Sequence, residues 1–240
     1  MAAHTALAAV FEPLQTATTF EETVERLGTA IRLGILPAGT RLPSERDLAE
    51  QLGISRSTLR LAITTLVESG HLVSVRGRAG GTFVADEPPL AGDREGPLRE
   101  DWREVLDLRV ALEVGAVTLA AERADPGVLG ELRDAVARMD AAGDFDEYSR
   151  ADVRFHIAIA QGSGVPRLAA LTTEVLGEVT DLIARIAHPE PVLRHANEDH
   201  ARLIEALANH NGDRAVRVMR SHLEGTEHIL AGLMPPGTAR

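Results

Sequence analysis

A mainly α-helical chain of two unlike parts is what the sequence predicts: an N-terminal helix-turn-helix closed by a small hairpin, then a C-terminal all-α antiparallel bundle of six or seven helices. Three observations predict it. Residues 42–72, LPSERDLAEQLGISRSTLRLAITTLVESGHL, hold two short apolar-periodic runs, each opened by a serine and separated by a glycine turn. Residues 71–84 hold two β-prone runs around the glycine-rich RGRAGG. From Leu98 onward the period is helical, interrupted only by Gly, Pro and Asn turns.

Residues 1–19 show no clear period and are expected to form a loose tail. Phe20 to Leu33 places Val24, Leu27, Ala30 and Ile31 at helical spacing, with Gly34 as its end. Pro43 stops what precedes it, and Ser44 with Asp47 three residues on has the form of a capping box. Leu48 and Leu52 share one side of that helix, and Gly53 closes it. Ser55 then caps a second helix, Arg56 to about Ser69, with Leu59, Ile63, Leu66 and Val67 facing inward. Its N-terminus presents Arg56, Ser57, Thr58 and Arg60, the residue types that meet phosphates and guanine edges when such a helix enters a major groove. His71–Val75 and Thr82–Val84 should pair as a wing whose tip carries Arg76 and Arg78, suited to phosphates or a minor groove. The expectation for 20–86 is a winged helix-turn-helix, followed by a Pro- and Gly-containing linker over 87–100.

Composition limits the alternatives. The chain has 240 residues, enough for two domains, and only 3% aromatics, so its core must be aliphatic. It lacks cysteine, which excludes disulfides and thiolate metal sites and leaves His, carboxylate or water as ligands. Neither a signal peptide nor an apolar run of transmembrane length is visible, so a cytoplasmic protein without a membrane partner is expected. The net charge of −11 constrains the average and not a local face. All 25 basic residues are arginine, and six of the eight between Glu21 and Glu87 (Arg41, Arg46, Arg56, Arg60, Arg76, Arg78) fall in the segments expected to face nucleic acid. Specific binding with weak affinity for bulk DNA and strong salt dependence follows.

In the C-terminal part, helices are expected over 99–123 (with a possible break at Gly115), 126–142, 144–161, 165–187, 197–209 and 212–233. The first should bury Val105, Leu108, Leu112 and Leu119; the second starts after Asp125 with Pro126 at its first position. Asp152 and His156 lie i, i+4 on one face, and His200 and His222 sit beside apolar positions of two other helices. One carboxylate and three imidazoles on facing helices suit a divalent ion of the Zn, Ni or Mn class. Read from the residues alone, ordinary core histidines explain the pattern as well. His188, His195, His210 and His228 read as solvated.

These residues together resemble a known family. The run LPSERDLAEQLGISRSTLRLAITTLVESGHLVSVRGRAGGTFV resembles the winged-helix signature of the GntR family of bacterial regulators. LRVALE at 108–113, DVRFHIAIA at 152–160, EDHARLIEAL at 198–207 and AVRVMRSHL at 215–223 resemble the FCD ligand-binding domain of its FadR-type branch. The resemblance covers about 20–87 and 101–232. It implies DNA contacts from Arg46, Arg56, Ser57, Thr58, Arg60, Arg76 and Gly77, and one divalent ion per subunit held by Asp152, His156, His200 and His222. It further implies a small carboxylate or sugar-acid effector, with Arg109 facing the pocket; the alternative for Arg109 is an i, i+4 pair with Glu113 on a solvated face. Val165 stands where relatives often carry Asn before the proline.

The function expected on this basis is a homodimeric transcription factor, most often a repressor, binding a pseudo-palindromic operator, with residues 101–234 as effector-binding and dimerisation domain and 235–240 as a tail. Two rivals differ in class: a regulator for which the ion itself is the effector, and a metal-dependent hydrolase, against which no general base is placed.

Overall fold

Ser44 and Ser55 begin the two helices on which the N-terminal unit is built. In the computed structural model, which describes residues 18–32, 34–77, 80–88, 101–123 and 125–233, the Ser44 hydroxyl accepts from the Asp47 amide and donates to the Asp47 carboxylate at 2.7 Å. The helix it caps, α2 (Glu45–Leu52), ends at Gly53 in the left-handed region, φ 68°. Ser55 accepts from the Thr58 amide at 3.0 Å and opens α3 (Arg56–Glu68). Ahead of them α1 (Thr19–Arg32) packs on α3, as α2 does. Val24, Leu27, Leu48, Leu52, Leu59 and Leu66 close the core, with Val67 left half-buried. The expected tail up to residue 17, Arg78 at the wing tip, residues 89–100 of the linker and residues 235–240 lie outside the described residues.

The wing is the antiparallel pair β1 (Leu72–Val75) and β2 (Gly81–Val84), in the register Leu72–Val84 to Val75–Gly81. Arg41 braces it. Its guanidinium donates to the Gly80 carbonyl at 2.6 Å and lies 5.9 Å above the Phe83 ring, while Arg41 also forms a bridge with Phe83. Gly80 is confined to glycine by space, because a Cβ there would stand 2.3 Å from the Val75 carbonyl oxygen.

The second unit is helical: α4 (Trp102–Arg123), α5 (Pro126–Asp140), α6 (Phe145–Gly162), α7 (Pro166–Ile183), α8 (Glu190–Ala208) and α9 (Gly212–Leu233), six among the described residues. Asp125 caps α5 with Pro126 at its first turn, and Asp144 caps α6. The core gathers Val117, Leu132, Phe155, Ile159, Leu203, Leu207 and Met219.

Three sequence expectations need correction. Helix α4 runs unbroken through Gly115, since one interior glycine costs only about 1 kcal/mol and packing overrides it. Helix α7 stops at Ile183 instead of 187, and α8 starts at Glu190 instead of 197. Pro191 therefore sits in the first turn of α8, where its missing N–H breaks no helical hydrogen bond. Val105 is buried in α4 as expected, but the rest of the stripe is shifted: Leu108 is 49% exposed and Leu112 and Leu119 are half-buried, whereas Arg109, Glu113, Ala116 and Ala120 are inside.

The division into compact units does not follow the chain. One unit takes Met1–Leu98 together with Ala184–Pro191 and Gly225–Arg240; the other takes Arg99–Ile183 and Val192–Glu224. Within the first, the end of α9 meets α1 backbone to backbone. A Cβ on Gly28 would lie 2.1 Å from the Gly232 carbonyl oxygen, and one on Gly232 would lie 2.7 Å from the Glu25 Cα. Beside this crossing the His228 Nδ1 contacts the Glu25 carboxylate, so His228 is half-buried and paired rather than solvated. The hydrogen bond to Glu25 holds the His228 imidazole above its ordinary value despite its burial, helped by the charges of Glu25, Glu22 and Glu227.

A raised folded-state value means that this pair stabilises fully below the unfolded histidine value of 6.5 and is lost as pH rises through the folded one. His228→Gln should therefore lower the melting temperature at pH 6, with the deficit shrinking by pH 9; a deficit independent of pH would rule out the charged pair.

Candidate metal centre and nucleic-acid face

Helices α6, α8 and α9 each bring one buried imidazole to a common point. His156, His200 and His222 offer ring nitrogens that all lie within 4.8 Å of one another, and their rings sit 5.5, 5.3 and 4.6 Å apart. Asp152, one turn before His156, adds a carboxylate: its Oδ1 is 3.8 Å from His156 Nε2 and 3.5 Å from His200 Nε2. The four residues named from the sequence thus converge, with three of them 6% exposed or less and Asp152 only partly covered.

Carboxylates behind the imidazoles orient them. Glu113 on α4 bonds the His156 Nδ1 through Oε2 and accepts from Arg109 Nε through Oε1 at 2.6 Å. Asp199 on α8 faces the His222 Nδ1 at 3.6 Å and pairs with Arg202. Both rings consequently present Nε2 forward, the arrangement in which an outer carboxylate sets the tautomer of a ligand histidine. Burial would push the Glu113 carboxyl up, but the Arg109 charge and the hydrogen bonds from His156 and Arg109 outweigh it and keep the group ionised. Burial likewise opposes ionisation of Asp199, and the contacts with His222 and Arg202 outweigh it.

His200 is different. Neither of its ring nitrogens has a hydrogen-bond partner among the described residues, and the residue is fully buried against Phe155, with ring centroids 4.3 Å apart. Burial, then the neighbouring His222, His156 and Arg109, keep its imidazole well below the ordinary value and so neutral, with a lone pair free. An orphaned buried nitrogen costs about 1–3 kcal/mol, and a cation beside the Asp152 oxygen would remove that cost. The residues present fit a divalent ion with a His₃Asp donor set.

Arg109 is 2% exposed and Glu113 1%, so their i, i+4 pair is not on a solvated face. Arg109 also reaches the centre itself, with its Nη2 3.2 Å from His156 Nε2. Glu113 and Asp199 were not singled out from the sequence as parts of the site. The signal was present for Glu113, an acid one turn from a candidate arginine; for Asp199, adjacent to His200, nothing in the helical period marks it as facing His222.

On the other unit, the N-terminus of α3 and the wing supply the basic face. Arg56, Ser57 and Arg60 are exposed, as are Arg76 and Gly77, and Thr58 is half-buried. Arg56 and Arg76 have no ionic or hydrogen-bond partner among the described residues. Arg60 donates from both Nε and Nη2 to the single oxygen Glu45 Oε2, at 3.1 and 3.0 Å, and Arg46 pairs with Asp47 at 3.1 Å. The Ser57 and Thr58 hydroxyls both lie within hydrogen-bond reach of Ser55 Oγ, at 2.8 and 2.7 Å. Gly77 adopts φ 112°, which lets the tip turn directly after Arg76.

Residues 19–84 match the profile of the bacterial regulatory proteins of the gntR family, and residues 104–225 match that of the FCD domain. A protein of Escherichia coli (strain K12) provisionally named as an L-lactate dehydrogenase operon regulator is 32% identical over 230 residues, covering 85% of this chain and 83% of its own. The Glc operon transcriptional activator of the same strain is 31% identical, covering 84% of both. Among solved structures, E. coli McbR/YncC shares 26% identity with a TM-score of 0.51, covering 90% of this chain and 98% of that one. The matched gntR family and the two named relatives are transcriptional regulators, not enzymes.

Replacing His200 by Leu, of similar volume, removes two orphaned buried nitrogens. The chelator-treated variant should melt above the chelator-treated wild type, while losing any stabilisation by added divalent ion. A lower melting temperature without metal would show that His200 is satisfied by the protein itself.

Proposed function

Because the chain belongs to the gntR family of bacterial regulatory proteins and carries its FCD ligand-binding domain, we propose that it is a dimeric operator-binding repressor controlled by a small carboxylate bound beside a divalent ion. The observation that carries this reading is the convergence of Asp152, His156, His200 and His222 with the buried Arg109 at their edge. We assign DNA binding to residues 20–86 and effector binding and dimerisation to 101–234, with 87–100 as the connection.

In this reading the imidazoles of His156, His200 and His222 and the Asp152 carboxylate hold the ion through Nε2 and Oδ1. A bound ion would supply a Lewis-acidic anchor for one carboxylate oxygen. Arg109 offers a guanidinium fork to the other, a match that lysine or a neutral donor would not reproduce. The relative named for an L-lactate dehydrogenase operon puts small 2-hydroxy acids first among candidate effectors, before sugar acids. The effector alters DNA affinity only to the extent that it prefers one conformation, which for typical couplings of about 1–3 kcal/mol means 5–150-fold.

At the operator, Arg56, Ser57, Thr58 and Arg60 enter the major groove, Arg46 meets phosphate, and Arg76 and Gly77 follow the adjacent backbone. Ser55 caps this end of α3 and Ser44 caps the helix before it, which supports a rigid presentation of these residues to DNA. Leu108 and Leu171, 49% and 44% exposed on the packed helices α4 and α7, support a two-fold contact there and hence two half-sites.

Two measurements test the proposal. Melting of the protein with 2-hydroxy acids and sugar acids, with and without chelator, should show a rise for one acid class that chelator abolishes; a ligand at about 100 Kd adds roughly 2.7 kcal/mol. A chelator effect with no response to any acid would move the assignment to the ion as effector. In DNA binding, Arg56→Ala should weaken a specific site by about 1–3 kcal/mol if it reads a base, and relax preference at one position. A uniform loss over all sequences, with a shallower salt slope, would make Arg56 a phosphate contact instead.

A further inference from the structure

The hydrogen bonds around His156 determine which of its nitrogens keeps a lone pair. Nδ1 lies against the Glu113 carboxylate, an acceptor, so Nδ1 carries the proton. Nε2 lies 3.2 Å from Arg109 Nη2, and a guanidinium only donates, so Nε2 accepts. The same guanidinium donates from Nε to the other Glu113 oxygen at 2.6 Å. Arg109, Glu113 and His156 therefore close a ring of three contacts, all buried, in which the forward lone pair of His156 is already used by arginine. An sp² nitrogen has one such lone pair. It can accept from Arg109 or ligate an ion, not both.

We propose that Arg109 is an internal competitor for the ion, occupying His156 Nε2 when no anion is bound and releasing it when an anion takes the guanidinium. The inference rests on the metal reading given above and adds its regulation. Glu113 is the pivot. Its bond to Arg109 Nε keeps the guanidinium at the site in both positions, so that only the Nη2 donor has to change partner. Ion and anion then bind with positive cooperativity, each raising affinity for the other by the same factor, as linkage requires. The centre would fill weakly with metal alone and would discriminate against carboxylates in metal-free protein.

The test is the zinc affinity of the full chain, measured against a chromogenic chelator with zinc as the only ligand, in wild type, Arg109→Lys and Arg109→Met. Lysine keeps a positive charge but not the fork that spans Glu113 and His156. Both variants should bind zinc more tightly by on the order of tenfold, the equivalent of one charged hydrogen bond relieved. Tightening in the methionine variant alone would mean charge repulsion without competition, and tightening in neither would overturn the proposal outright. No zinc binding in any of the three would instead remove the metal reading, and this inference with it. Wild-type protein labelled with ¹⁵N-arginine covers the case of misfolded variants. The slowly exchanging guanidinium of Arg109 should lose its hindered Nη2 signal or shift it on zinc addition, and an unchanged signal in zinc-loaded protein would refute the competition.

Discussion

The second unit is organised by a charge it cannot leave unpaired. Glu113 sits inside α4 with no access to water, and each of its oxygens is committed, one to Arg109 and one to His156. A buried carboxylate without such partners costs several kcal/mol, and losing one partner of a buried pair costs about 3–5 kcal/mol. A well-packed apolar core would be at least as stable, so this network is better understood as fixing geometry. It sets the His156 ring, its tautomer and the place of Arg109 in one step. Asp199 does the same for His222 from another helix, leaving His200 as the member positioned by packing alone.

The nucleic-acid face is governed by the opposite condition. Its arginines are exposed, and the acids beside them, Glu45 and Asp47, lie on the first turn of α2, where they also favour the helix dipole. The Ser44 hydroxyl, then the Arg46 guanidinium, hold the Asp47 carboxyl below the usual carboxylate range. Such surface pairs contribute little stability, since solvent screens them. Their effect is orientation: Arg46 and Arg60 are each held to one acid, while Arg56 and Arg76 have no such partner among the described residues. An overall charge of −11 is compatible with this because six of the eight arginines between Glu21 and Glu87 fall in or beside the capped helices and the wing, a local face that the average does not describe.

Local chemistry made much of this legible in advance. Serine caps, the Gly53 stop, the Asp125-Pro126 start and the Asp152/His156 spacing depend on neighbours within four residues, and the structure has them as read. What failed depended on the other side of a contact. In α4 Val105 is buried as read, but Arg109, Glu113 and alanines take inward places that hydrophobic periodicity gives to leucine, with Leu108 outward and Leu112 and Leu119 half-buried. His228 likewise had no local mark, because its partner Glu25 is two hundred residues away in the chain. Pro191 falls in the gap between the helices expected over 165–187 and 197–209, yet a first-turn proline and a helix-breaking one are the same letter.

The crossing of Gly28 and Gly232 bears on how this architecture can be taken apart. Cutting within 87–100 would yield an N-terminal fragment without the α9 segment that seats Gly232 on α1 and pairs His228 with Glu25. Val24 and Leu27, now fully buried, belong to the same helix, so that fragment would begin life with an incomplete packing surface. Two parts that look separable along the chain are therefore not modular in the sense of exchangeable pieces. A graft of this winged unit onto another effector domain would have to bring a closing helix with it, with a small residue at the crossing point.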